Sequence, residues 1–421
     1  MKLIHRQIAA LIVLLAVITM VFAVALPHLR VDRISEYTYM GVPYKMFKAG
    51  HLSIADGDPF VENGPHAVFV SAAIAYYSHS LKPMRYYHFV YMAIIIGWLF
   101  WLLQRQFERL SRSWIILGLS VLLVLSVWIS IPLILIYPIQ FNGMTPGFLC
   151  FLAALLLNGE HPYGAALMLG CAYSFKGQFL AMLPGWMLYK VVIENRFASW
   201  KARVAHAGAC FILFFVPTTV LLTVLARLFH FFNDTQELKA YAWRAPSILF
   251  DEMSAIGQKM LHLPSASPDK ATQAVRIRHT EYSGFGCLTW SHIIFSMSFC
   301  FWAAANPLWN RWRGQESKVA PFLSLFGAAG FLYWLNYLFF WSYPFWYNTL
   351  PVVFFNLFAI PYAVLSFQGW ITRHLSERLG LICLVGVSLV LGGYFLKDIY
   401  RTPGWHDRAP GDSLEPYSWM P

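Results

Sequence analysis

Apolar residues fall along this chain in runs of about 20, the length that carries an α-helix across the hydrocarbon core of a bilayer. Eleven such segments can be marked, near 8–28, 86–104, 114–136, 144–157, 163–176, 179–193, 204–231, 286–306, 321–341, 349–367 and 379–396. The pattern predicts an all-α polytopic membrane protein of about eleven transmembrane helices. Residues 1–396 read as one membrane unit, followed by a polar, proline-containing tail over 397–421. The segments between 144 and 176 are short, which a membrane protein tolerates where neighbouring protein covers the backbone, often around a cavity.

The connections fall into two kinds. Short ones on one side carry Arg105, Arg109 and Arg112, then Lys190, Arg196, Lys201 and Arg203, then Arg311, Arg313 and Lys318, then Arg373 and Arg378. With Lys2 and Arg6 they place the N-terminus in the cytoplasm, and an odd number of crossings puts the C-terminus outside. Two long segments fall on the outer side, 29–85 and 232–285. In the first, apolar residues 68–77 follow Pro65 and predict an amphipathic helix lying along the membrane surface. At the N-terminus, the apolar run 8–26 exceeds the roughly 7–15 residues of a signal-peptide core. Ala23-Val24-Ala25 has the look of a cleavage site, but the run length predicts an uncleaved first helix.

Composition sharpens this picture. Of the 421 residues, 58% are hydrophobic and only 12% charged, where a soluble domain is about a quarter charged. The net charge of +11 is scattered between apolar segments, which points to anionic lipid and phosphate groups rather than nucleic acid. The six cysteines form no CxxC pair and mostly stand inside apolar segments, so they read as small core residues. There is no Walker motif, HExxH or glycine-rich nucleotide loop. Without a soluble nucleotide-sugar fold, chemistry on a sugar would use a lipid-linked donor.

Several residues carry candidate chemistry. Asp32 and Glu36 stand one helical turn apart just beyond the first segment. Each reads either as a general base taking a proton from a hydroxyl or as a solvated carboxylate beside Arg30 and Arg33. Lys176 lies between two apolar segments. It is either a point charge for a lipid phosphate or a lysine snorkelling to the interface. Gln140 and Asn142 can hydrogen-bond sugar hydroxyls or cap a helix end. Arg244, Arg276, Arg278 and His279 form a basic set in the second long segment, for phosphate or simply solvated. Trp341, Tyr343, Trp346 and Tyr347 form either an aromatic belt or a sugar-stacking surface. His88 and His206 read as interface residues rather than metal ligands.

The order Glu36-Tyr37, Tyr39, Gly41-Val42, Gly50 and Asp58-Pro59-Phe60 resembles the first outer loop of GT-C class membrane glycosyltransferases, in the branch that uses polyprenyl-phosphate sugars. Asn63-Gly64-Pro65-His66 then leads into the apolar surface segment, with one proline where the family pattern has two. Gln140-Phe141-Asn142 is similar to the family's "GQxN"-like element, with Ile139 in place of its glycine. Residues 164–190 resemble its small-residue helix, lysine and proline-containing helix, with Lys176 as the lysine. The likeness covers roughly the first 200 residues, in three short motifs in the family's order.

This resemblance implies a GT-C-like fold and an inverting transfer of a sugar from a polyprenyl-phosphate donor to a lipid- or glycan-linked acceptor at the outer face of a bacterial inner membrane. Glu36 or Asp32 would be the base. Counting back from Gly50 favours Glu36, while Asp32 matches the family's usual residue type. Lys176 and loop arginines would offset phosphate charge, and Gln140, Asn142 and Trp346 would meet the sugar. Family members differ in whether a divalent metal assists. A lipid-linked polysaccharide polymerase or ligase relying on the 232–285 arginines, and a lipid or sugar transporter, are the alternatives from other classes.

Overall fold

In a computed structural model of the chain, the described residues are 2–25, 65–78, 82–107, 113–130, 144–194, 197, 199–228, 287–315, 319–339 and 350–401. Their regular structure is helical, and no strand occurs among them. The helices are α1 (Lys2–Ala25), α2 (Pro65–Ser78), α3 (Lys82–Gln106), α4 (Trp114–Ser130), α5 (Met144–Leu157) and α6 (Pro162–Phe175). A composite segment follows, made of a 3-10 helix (Gly177–Met182), α7 (Leu183–Leu188) and a π-turn (Tyr189–Ile193). Then come α8 (Trp200–Leu228), α9 (Cys287–Trp312), α10 (Pro321–Phe339), α11 (Leu350–His374) and α12 (Glu377–Arg401).

Every apolar segment marked in the sequence carries helix. Among the described residues, four stretches are long and apolar enough to cross a membrane: Ile4–Ala23, Tyr86–Gln106, Trp200–Leu221 and Phe354–His374. Trp114–Trp128, Met144–Leu157, Gly177–Ile193 and Pro321–Leu335 are apolar but shorter. This is the pattern of an all-α membrane protein. The outward faces agree with it. On α1, Ala10, Leu14 and Ile18 recur every four residues and are buried, while Ile4, Ile8 and Ile12 are exposed. Apolar side chains left in the open, as on α8 (Phe211, Ile212) and α12 (Ile382, Leu389, Val390), suit lipid better than water.

Small residues set the closest helix contacts, as they do where helices pack inside a membrane. A Cβ on Gly170 of α6 would run into the Phe214 carbonyl of α8. A Cβ on Gly185 of α7 would strike the Ala328 carbonyl of α10, and one on Gly327 of α10 would meet the Cys300 carbonyl of α9. Between these contacts lies an aromatic core. Phe148 of α5 stacks on Phe354 of α11 at 4.8 Å, and Phe326 of α10 meets Phe355 edge-on at 4.7 Å. Cys150, Cys171, Cys210, Cys300 and Cys383 are free thiols, of which Cys210 and Cys300 are fully inside. His88 and His206, read from the sequence as interface residues, are buried.

The segment after α6 departs from the continuous helix that its apolar run suggests. Lys176 takes an extended backbone, φ −150 and ψ 120, which stops α6. Its N–H still donates to the Ala172 carbonyl at 3.0 Å, and its carbonyl accepts from the Phe179 N–H at 3.1 Å. Gly177 then opens the 3-10 helix, and Pro184, which has no N–H to donate, stands in the first turn of α7. The π-turn closes with the Glu194 N–H on the Tyr189 carbonyl at 2.8 Å. Hydrophobic periodicity is silent on these changes of hydrogen-bond spacing. Gly177 and Pro184 are the sequence's only markers of them.

Candidate functional site

Breaking α6 at Lys176 puts a charged side chain in the middle of packed apolar helices. Lys176 is 0% exposed. A snorkelling lysine keeps its ammonium in water, so this burial sets that reading aside. Residues 172–180 contain no acidic side chain. A counter-charge for Lys176 therefore has to come from another part of the chain or from a ligand.

Two residues before the lysine, Ser174 is also fully buried. Its Oγ lies 2.5 Å from Nδ1 of His66, in the first turn of α2. The His66 ring also packs against Phe175 with centroids 5.2 Å apart. Burial holds the His66 pKa below its ordinary value of 6.5, so the ring is neutral near pH 7. The helix read from the sequence as surface-lying thus forms, beginning at Pro65, and its N-terminal turn is fastened to the lysine end of α6. Packing against α3, α6 and α8 spreads its contacts around the helix, as suits the nearly unbroken apolar sequence of 67–77.

Lys176 is the one predicted site residue within the described part of the chain. Asp32, Glu36, Gln140, Asn142, Arg244, Arg276, Arg278, His279 and Trp346 lie outside it, as do Trp341, Tyr343 and Tyr347. His66 and Ser174 were not singled out by sequence. Their contact spans 108 positions, and no local spacing signals it. Among the described residues no group of three His, Cys, Asp or Glu stands ready to hold a metal ion.

A second buried lysine lies on the same composite segment. Lys190, in the π-turn, is 1% exposed. Its ammonium donates to Oε1 of Glu194 at 3.1 Å and lies equally close to Oε2, without a directed hydrogen bond to that oxygen. The Trp186 ring stands 5.9 Å away, and Asn158 Nδ2 donates to Glu194 Oε1 at 3.4 Å. This pair was legible in principle, because a Lys and a Glu four apart share one face of a helical turn.

Comparison with known proteins finds no matching family model, no similar curated protein and no similar solved structure.

Proposed function

We propose that this chain is an integral-membrane glycosyltransferase of GT-C type. It moves a sugar from a polyprenyl-phosphate donor to a lipid- or glycan-linked acceptor, with inversion. In this reading it crosses a bacterial inner membrane eleven times, its N-terminus is cytoplasmic, and the chemistry takes place at the outer face. The motif resemblance in roughly the first 200 residues supports it. So does one structural observation. The lysine that the resemblance gives to the donor phosphate is fully buried at a helix break, with the first-loop helix fastened beside it through His66 and Ser174. Charges held within apolar helices are costly and mark functional sites.

The step follows from the residues. The carboxylate of Glu36, or of Asp32, takes the proton of the acceptor hydroxyl. The oxygen forms a bond to the anomeric carbon from the face opposite the phosphate, and the carbon–phosphate oxygen bond breaks. The leaving phosphate keeps that electron pair and gains a negative charge. An ammonium stripped of water offsets such charge better than one in solution. Lys176 supplies it, and the arginines at 244, 276 and 278 add to it at the loop.

Mass spectrometry of lipid-linked and envelope glycans, with and without the gene, tests the reading. The expected result is one missing sugar substituent and accumulation of its polyprenyl-phosphate donor. An unchanged glycan profile contradicts it. With purified protein, Glu36→Gln should lower turnover about 10²–10⁴-fold while donor binding persists. Loss of activity in Asp32→Asn but not in Glu36→Gln would move the base by one helical turn. Full activity in both would point instead to a polymerase acting through the 232–285 arginines.

A further inference from the structure

About 20 Å from Lys176, at the other end of the 14-residue helix α6, the connections after α5, the π-turn and α9 meet. They line an open cavity of about 730 Å³. Its lining includes Asn158, Glu194, Pro307, Arg311 and Ser324. The volume is in the range of small-molecule sites, roughly 300–1,000 Å³.

Three polar atoms on this lining are buried and make no hydrogen bond: Oδ1 of Asn158, in a residue 4% exposed, Oγ of Ser324, in a residue 2% exposed, and Oε2 of Glu194, which lies 3.1 Å from the Lys190 ammonium and is answered by its charge. Native proteins rarely leave such groups unmet, because each costs about 1–3 kcal/mol. Asn158 has its amide nitrogen committed to Glu194, which leaves the carbonyl oxygen to accept. Ser324 can both accept and donate.

The cation beside them is held in place. Arg311 donates from its two terminal nitrogens to the carbonyls of Val192 at 3.0 Å and Ile193 at 2.7 Å, the last carbonyls of the π-turn. Those two bonds use two of five guanidinium N–H groups, leaving three. Lys190 and Glu194 cancel each other's charge, so among the described residues of the lining Arg311 sets the sign of the site. Single-turn π segments inside helices are frequent at functional sites.

A buried acceptor, a buried hydroxyl and a fixed guanidinium with donors to spare match one kind of ligand. It carries hydroxyl groups for Asn158 and Ser324 and a phosphate for Arg311. We propose that this cavity is a binding site for a polyol phosphate, distinct from the Lys176 site and independent of the glycosyl-transfer reading. The same chemistry is offered by the headgroup of a glycerol phospholipid and by a soluble polyol phosphate.

The full chain in detergent, followed by native mass spectrometry, tests this. Phosphatidylglycerol, phosphatidylethanolamine and free glycerol 3-phosphate are titrated separately. Saturable 1:1 binding of phosphatidylglycerol, with phosphatidylethanolamine about tenfold weaker, supports the proposal and assigns a lipid source. Saturable binding of glycerol 3-phosphate without preference for the lipid supports it and assigns a soluble source. Ser324→Ala removes one hydroxyl with little change in packing, and Arg311→Gln removes the charge. Each should weaken the bound ligand, Arg311→Gln by about tenfold or more. Arg311→Lys should recover part of that loss and shows that the fold is intact. The proposal is overturned if neither probe saturates, or if binding is the same in wild type, Ser324→Ala and Arg311→Gln.

Discussion

Lys176 and Lys190 stand fourteen positions apart on one composite segment, and both are withdrawn from solvent. Lys190 is neutralised within its own helical turn by Glu194, under an aromatic ring and beside Asn158. Its ion pair is closed within one turn, and through Glu194 and Asn158 it joins the π-turn to the α5 end. Lys176 interrupts its helix, has no acid within four positions, and is flanked by a serine bound to a residue 108 positions earlier. Lys190 is answered within its own turn, whereas Lys176 sits at a helix break where distant elements converge, the setting in which a charge held among apolar helices most often marks a functional site.

The largest effect that would break this contrast is on stability. Lys190→Met removes the cation paired with Glu194 and should destabilise the fold by about 3–5 kcal/mol. The double change Lys190→Met/Glu194→Gln should restore most of it. Thermal unfolding in detergent reads both, and a double variant no better than the single would show that the pair is not self-contained.

Next in size is the packing that holds the lysine end of α6. Gly170→Ala drives a methyl into the α8 backbone and should cost about 1–3 kcal/mol. Gly118→Ala in α4, where a Cβ meets nothing within 4 Å, should be neutral or slightly stabilising. Equal unfolding temperatures for the two variants would remove the close-packing account of α6 and α8.

The smallest effect concerns the α2 fastening. His66→Ala removes one hydrogen bond, worth about 1 kcal/mol net. Hydrogen exchange should then rise in α2 more than in α3. The same contact has a pH dependence. Burial lowers the His66 pKa, so the docked ring favours the neutral state. Docking is at full strength above about 6.5, the ordinary histidine value, and weakens as pH falls below it. Protection in α2, taken relative to the intrinsic exchange rate at each pH, that is unchanged from pH 7.5 to 5.5 would contradict this.

Much of the fold was legible. Apolar runs located every described helix, because a bilayer demands length and apolarity together. The first-loop helix was legible from the apolar run after Pro65, but the amphipathic character expected of it was not found, since 67–77 is apolar nearly throughout. Its partner was not, since the His66–Ser174 contact leaves no trace in local spacing. The switch to 3-10 and π hydrogen bonding was also hidden, because it changes the backbone ladder without changing hydrophobicity. Of the site, Lys176 was visible as a charge between two apolar segments, and the structure adds its burial. The second cavity was out of reach of sequence reading, since Asn158, Arg311 and Ser324 come from widely separated parts of the chain and none is unusual alone.

Under the glycosyl-transfer proposal, Lys176 meets a donor phosphate whereas Lys190 only holds the fold. Donor titration with purified Lys176→Met and with Lys190→Met/Glu194→Gln tests it most directly. Lys176→Met should raise the apparent donor constant by roughly 10–100-fold, the loss of one charge-assisted contact. Acceptor dependence should stay unchanged, and the double variant should use donor as wild type does. Unaltered donor dependence in Lys176→Met would contradict the claim and leave both lysines structural.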